Sequence, residues 1–416
     1  MMDKVRKKSR TSDQYGHLSD QEQLCLKDLD QVLHGEWALG RNLILVWTPT
    51  DDNAIDVLVV PHYAISDFAQ KEKAEADLES GLALGLKSQS FIEDIISSGK
   101  QVTIDGLNHL SQKMEIQPTR LDLTFKPGVD LNYDLVEEAI CKYSISYVED
   151  RAVALFDIVG FSLFSPLEQV TQLNSLSFSF NSAYSRMLAK NLDISFARST
   201  TGDGFYIWNR DRSVQANINL YHFMHLVLAD NAIALAKSSR NATPKVRVSF
   251  HVGGHYEFYQ SEGLSPTVYS YIVGDVTIEL ARMIDRALPG QVVVGDFKVP
   301  MPDLLTGLNE RIDTIEFIER TQKSLSKLEG ITFSGDEISD IRCYLTGEKT
   351  GTGDDEDDDF AIRRYRIVDK HGLARHVYNA KINIYRSQAD PIFLGRQTTE
   401  LKGFKYESSD FAVKAD

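Results

Sequence analysis

Two aspartates stand in surroundings that suit metal-dependent chemistry. Asp157 lies near the end of an apolar run, Ala152 to Ile158 (AVALFDI), and is followed by Ile-Val-Gly-Phe-Ser; Asp203 sits in a Gly-Asp-Gly turn between two short apolar segments. If those segments are neighbouring strands, both carboxylates emerge at one edge of a sheet. Two hard oxygen ligands with open positions beside them suit Mg2+ or Mn2+ holding a triphosphate. Gly160, Gly202 and Gly204 flank the pair and, lacking a Cβ, would let main chain approach phosphate closely. Taken singly, each aspartate has a plainer role, Asp157 as a helix cap and Asp203 as a turn residue. The histidine pairs are poorer candidates. His222 and His225 are three apart, His251 and His255 four apart at a strand end, and neither pair has the helical geometry of a zinc site with a catalytic Glu. They read as structural, His371 as a turn residue, and Phe178, Phe180 and Tyr184 as core.

The segments around the two aspartates alternate in a definite order. Ala152–Ile158 suits a buried strand, Pro166–Lys190 a long helix, and Ile194–Arg198 with Phe205–Trp208 a strand–turn–strand. A second long helix is expected over Ser213–Lys237, then strands over Val246–Val252 and Tyr269–Val273, a helix from Asp275 to Leu288, and a short strand over Val292–Val294. The opening order strand–helix–strand–strand–helix–strand predicts an α+β chain with a ferredoxin-like βαββαβ sheet. Helix is expected to continue from Lys298 to about Leu328, with a solvated acidic insert at Asp354–Asp359 and two strands over Arg363–Val368 and Ala374–Tyr385.

Upstream, residues 1–18 read as a polar, mostly cationic arm. Ser19-Asp20-Gln21-Glu22 has the form of a capping box, and Leu26, Leu29 and Leu33 follow at helical spacing to Gly35. Leu43–Thr48 and Ile55–Val60 suggest a hairpin, and SDFAQKEKAEADLES and SFIEDIISSG suggest helices. Residues 1–145 therefore read as a small α+β domain, 146–370 as the domain carrying the aspartates, and 371–416 as a C-terminal extension.

Composition narrows the field. Of 416 residues, 45 are Lys or Arg and 60 Asp or Glu, a formal charge of −15. That argues against nucleic acid as a partner, because such binding needs cations to neutralise phosphates. Cys25, Cys141 and Cys343 are scattered, with no zinc spacing or disulfide framework, as suits a reducing cytoplasm. No stretch approaches the roughly 18 continuous apolar residues of a membrane span, and the N-terminus lacks the apolar core of a signal peptide. No membrane association is expected.

Four segments together resemble the class III nucleotide cyclases. Phe156–Ser162 (FDIVGFS) resembles that family's first metal motif and Thr200–Trp208 (TTGDGFYIW) its second; Val246–Gly254 (VRVSFHVGG) resembles the next strand; Val273–Gly295 (VGDVTIELARMIDRALPGQVVVG) resembles the arginine-bearing helix and the strand after it. They appear in family order. The resemblance implies that Asp157, Asp203 and the Ile158 carbonyl hold two Mg2+ or Mn2+ ions. The ribose 3′-oxygen of a nucleoside triphosphate then attacks the α-phosphorus, giving a 3′,5′-cyclic nucleotide and pyrophosphate. It also implies that Arg282 stabilises charge on the α-phosphoryl group, and that the backbone from Gly160 through Phe161 and Ser162 meets the β- and γ-phosphates. Lys349 is a further candidate phosphate cation. The family builds each site from two chains, so a homodimer is expected.

The departures bear on the base. Ser199 stands where purine-specific members carry lysine or glutamate, Tyr271 where adenylate cyclases carry aspartate or threonine, and Ile278 where the ribose-orienting asparagine belongs. A polar base edge left without partners costs about 1–3 kcal/mol per group, so selectivity should change. A tyrosine narrows the pocket and favours a pyrimidine, as in the bacterial antiphage cyclases that make cyclic UMP or cyclic CMP for a downstream receptor protein. The competing expectations are an adenylate cyclase with an atypical base pocket and a catalytically inactive cyclase fold serving as sensor or interaction module.

Overall fold

Glycine turns and apolar runs set the element order of the chain. The structure is a computed structural model that describes residues 18–68, 91–192, 194–211, 213–238, 241–261, 268–303, 307–349 and 360–414. Nearly all of the expected arm, most of the helix expected over 66–80, and the acidic insert lie outside the described residues. The described chain divides into two compact units, one of residues 18–148 with 255–273 and one of 149–254 with 274–414.

The first unit opens with α1 (Asp20–Trp37), whose N-terminus is closed by the expected capping box of Ser19 and Glu22. The hairpin β1 (Asn42–Pro49) and β2 (Ala54–Pro61) is joined by β3 (Thr119–Asp122) into a three-stranded antiparallel sheet. Short helices α2 (Phe91–Ser97), α3 (Ile104–Met114) and α4 (Tyr133–Cys141) complete it. Trp47 is fully buried there, and its indole N–H donates to Glu137 Oε2 at 2.5 Å.

The second unit is built on β4 (Ile145–Ile158), α5 (Pro166–Ala189), β5 (Phe196–Thr200), β6 (Gly204–Asn209), α6 (Val214–Lys237) and β7 (Val246–Ser261). Their sheet order is β7-β4-β6-β5. Counting these strands one to four along the chain, the order is 4-1-3-2, the ferredoxin-like arrangement predicted from the sequence. The tip of β7 pairs with β8 (Val268–Val273) within the first unit. Then come α7 (Asp275–Arg286) and β9 (Val292–Gly295), which lies parallel to β7.

Beyond Lys298 the helical expectation fails at first. β10 (Lys298–Pro302) and β11 (Asn309–Asp313) form a separate two-stranded sheet, and only then does α8 (Thr314–Ser324) begin. Pro300 and Pro302 explain this, because proline breaks a helix interior but is tolerated on a strand with an open edge. The main sheet is extended by β12 (Thr332–Phe333), β13 (Asp336–Leu345), β14 (Gly347–Lys349), β15 (Phe360–Val368), β16 (Ala374–Arg386), β17 (Ile392–Gly395) and β18 (Glu407–Lys414). β16, in the expected C-terminal extension, runs antiparallel between β9 and β13.

A large apolar core packs α5, α6 and α8 of this unit against the sheet. α6 is buried at every position from Ala216 to Asn231, on all its faces. Phe180 of α5 meets Phe156 edge-on at 5.0 Å and Phe205 at 5.3 Å, which fixes α5 under the strands that carry the two aspartates. Phe178, expected in the core, is instead 67% exposed: α5 turns it away from the face occupied by Phe180.

His222 and His225 are both wholly buried on α6, as their structural reading requires, with His222 Nε2 3.0 Å from the Ser324 hydroxyl. Burial lowers the His222 pKa to about 4 and that of His225 well below its ordinary value. Both rings are neutral in the folded chain and take up a proton in the unfolded one. Their contribution is present above the unfolded pKa of 6.5 and is lost as pH falls towards 4. The urea midpoint should therefore drop between pH 6.5 and 5, before the carboxylates protonate; a flat profile across that window would refute it.

Candidate active site

Alternation along β4 decides where Asp157 points. Phe156 faces the helices, so its neighbour projects from the other side of the sheet. In the antiparallel pairing of β4 with β6, Phe156 stands opposite Phe205 and Asp157 opposite Gly204. The Ile158 N–H donates to the Asp203 carbonyl at 3.0 Å, so the two aspartates and the Ile158 backbone share one sheet edge. The turn is braced from within: Thr201 N–H donates to the Gly204 carbonyl at 2.9 Å, Gly202 N–H to Thr200 Oγ1 at 3.1 Å, and Thr201 Oγ1 to Asp203 Oδ1 at 3.3 Å.

After Ile158 the chain must turn sharply. Gly160 takes φ +70, a left-handed value costly for other residues, and a short 3-10 turn over Phe161–Leu163 follows. Phe161 packs partly into the core while Ser162 stays exposed. These three expected phosphate contacts thus lie directly beyond the aspartate pair. Lys349 ends β14 opposite Phe360; its side chain lies outside the described residues.

Asp157 is only 8% exposed. Burial pushes its carboxyl pKa up, the charges of Asp203 and Asp285 add to the rise, and the guanidinium of Arg247 offsets only part of it. Arg247, on β7, reaches Asp157 Oδ2 through Nε at 2.7 Å and the Ala287 carbonyl through Nη1 at 3.0 Å. Sequence reasoning missed both Arg247 and Asp285, although Arg247 is the one cation inside VRVSFHVGG. Among the described residues no group of three or more His, Cys, Asp or Glu side chains is gathered about a metal-sized position. The donors nevertheless fit a divalent cation: a buried carboxylate, pressed by two further carboxylates and relieved by a single arginine, gains most from added positive charge.

Arg282 lies on α7 with its side chain 22% exposed. Its Nε is 3.6 Å from Asp369 Oδ2, in the β15–β16 turn. Burial pushes the Asp369 carboxyl pKa up, but N–H groups of Leu373 and His371 and the Arg375 guanidinium outweigh it, and the net shift is downward. His371 is a turn residue, as expected. Of the three expected base-reading positions, Ser199 is half-buried on β5 opposite Tyr206, and Ile278 is 49% exposed on α7. Tyr271 belongs to the other unit, on β8, where its ring stacks on Phe258 at 5.7 Å. The Tyr206 hydroxyl donates to the Thr277 carbonyl at 3.2 Å, tying β6 to the start of α7.

No protein-family model and no curated protein matches the chain. Solved structures similar to it are cyclase domains. The guanylate cyclase domain of RhGC from Catenaria anguillulae, solved in complex with GTP, is 11% identical over 56% of this chain and 97% of its own, with a TM-score of 0.33. The adenylyl cyclase CyaB from P. aeruginosa is 10% identical over 59% of this chain and 98% of its own, also at 0.33. The guanylyl cyclase Cya2 is 10% identical, covering 56% and 92%, at 0.29. Among the described residues no helix is long and apolar enough to cross a membrane.

Proposed function

We propose that the chain is a nucleotide cyclase, converting a nucleoside triphosphate to a 3′,5′-cyclic nucleotide and pyrophosphate. The observation that carries this is the pairing of Asp157 with the Gly202-Asp203-Gly204 turn on adjacent strands of a ferredoxin-like sheet, one carboxylate buried and electrostatically strained. Asp157, Asp203 and the Ile158 carbonyl would hold two Mg2+ or Mn2+ ions, which supply positive charge to the attacking 3′-oxygen and to the departing pyrophosphate. The Gly160 turn lets the backbone of Phe161 and Ser162 come close to the phosphates. Arg282 neutralises charge on the α-phosphoryl group as the bond to the pyrophosphate oxygen breaks. Lys349 is proposed as a further phosphate cation.

The base is proposed to be a pyrimidine. Ser199, Tyr271 and Ile278 stand in place of the residues by which purine-specific cyclases read the base and orient the ribose, and cyclic UMP or cyclic CMP would suit signalling to a receptor protein in antiphage defence. A cytoplasmic homodimer is the proposed working form. The experiment is incubation with ATP, GTP, UTP and CTP, each with Mn2+, and mass spectrometry of the products. Cyclic UMP or cyclic CMP is expected. Cyclic AMP would keep the cyclase and reject the pyrimidine pocket. A second reading, an inactive fold that senses nucleotide, is favoured by the bond of Arg247 to Asp157 Oδ2, an oxygen a metal would need; absence of every cyclic product would select it.

A further inference from the structure

We propose that Asp369 is the positioning residue for Arg282, which makes the β15–β16 turn part of the cyclase machinery. The inference rests on the reading of Arg282 as the arginine that meets the phosphoryl group. The turn grips one stripe of α7. Glu279 Oε2 holds Arg375 Nε at 2.7 Å, Arg282 Nε faces Asp369 Oδ2 at 3.6 Å, and Arg286 Nη2 donates to the Val368 carbonyl at 2.5 Å. Residues 279, 282 and 286 lie on one helical face, so the turn reads that face through successive contacts.

Asp369 is itself immobilised. Its Oδ1 accepts N–H bonds from His371 at 2.8 Å and Leu373 at 2.9 Å, its Oδ2 takes Arg375 Nη1 at 2.7 Å, and the residue is 7% exposed. Arg375 is also paired by charge with Glu279, on the helix that carries Arg282. The way Arg282 is held separates positioning from simple glue. An arginine serving only to bind the turn would offer a carboxylate two parallel N–H bonds. Here the longest contact of the cluster falls to the Nε side of Arg282, while the tighter bonds to Asp369 come from Arg375 and the backbone. Asp369 therefore draws Arg282 by charge across 3.6 Å without a hydrogen bond, which keeps the guanidinium N–H groups for a phosphoryl oxygen.

The test uses the full chain with Mn2+ and whichever of ATP, GTP, UTP and CTP it cyclises. Asp369→Asn should lower kcat about tenfold to a hundredfold through misplacement of the arginine, with KM for the nucleotide unchanged, and Asp369→Glu should restore much of it. In an Arg282→Ala background the same Asp369→Asn change should cost nothing further, as expected of groups that act as a unit. Because Asp369→Asn removes a buried carboxylate, Glu279→Gln serves as a second variant. It leaves Asp369 on its backbone amides, and should lower kcat severalfold only when Arg282 is present. Wild-type kcat in Asp369→Asn, or equal losses with and without Arg282, overturns the positioning role and leaves the cyclase intact. No product from the wild-type chain with any of the four nucleotides overturns the cyclase reading, and the role of Asp369 falls with it.

Discussion

Asp157→Asn is expected to cut cyclic nucleotide formation by about a hundredfold to a thousandfold, the scale of losing one preorganised electrostatic group, while the chain still folds. Asparagine keeps an oxygen for Arg247 Nε, so the 2.7 Å contact to β7 retains an acceptor. What it loses is negative charge at a point where burial and two neighbouring carboxylates already oppose it. The same change should abolish stabilisation by metal. In the wild-type chain, Mn2+ at about a hundred times its Kd should add about 2.7 kcal/mol, a rise in melting temperature of about 5–10 °C for a unit of this size. In Asp157→Asn that rise should vanish. An Asn variant that keeps its product, or a wild-type chain whose melting ignores Mn2+, would reject the assignment of Asp157 as ligand.

The parts of this site that could be read in the sequence are those whose signal is local. A carboxylate near the end of a seven-residue run of buried side chains, and another framed by glycines, stand out within a few positions of chain, and the structure sets them on paired strands. Ser19 with Glu22 was legible for the same reason, since a capping box spans four residues. The contacts of Arg247 with Asp157 and of Asp369 with Arg282 are different. They join positions 90 apart in the first case, and in the second a turn on one hairpin with a helix from another part of the fold, so no spacing rule reaches them. The miss beyond Lys298 was of a third kind. There the deciding signal is local too, since Pro300 and Pro302 oppose a helix interior. β13 also escaped, although its burial alternates through Ile341, Cys343 and Leu345 in the period of a strand.

The closeness of β4 to β6 at the paired aspartates leads to the second large effect, at Gly204. A Cβ placed there would lie 2.0 Å from the Phe156 carbonyl oxygen, 3.0 Å from its carbon and 3.1 Å from Asp157 Cα. All three are main-chain atoms of β4, so no side chain can swing aside, and the strands themselves must part or slip. Gly202 offers a contrast two residues away: nothing lies within 4 Å of its Cβ position, and only its φ of +98 resists substitution. Gly204→Ala should therefore cost about 2–3 kcal/mol, in the range of overpacking a rigid site, lowering the melting temperature by about 5–10 °C. Its effect on turnover should be larger than that loss of stability explains. The displacement falls on the hydrogen bond from Ile158 to Asp203, which sets the spacing of the two carboxylates, and a misplacement of about 1 Å costs about a hundredfold in rate. Scanning calorimetry and initial rates at a temperature where the variant is fully folded separate the two effects. Gly204→Ala with wild-type turnover at that temperature would show that the carboxylate pair tolerates a wider sheet edge, and that the metal chemistry does not depend on the register of β4 with β6.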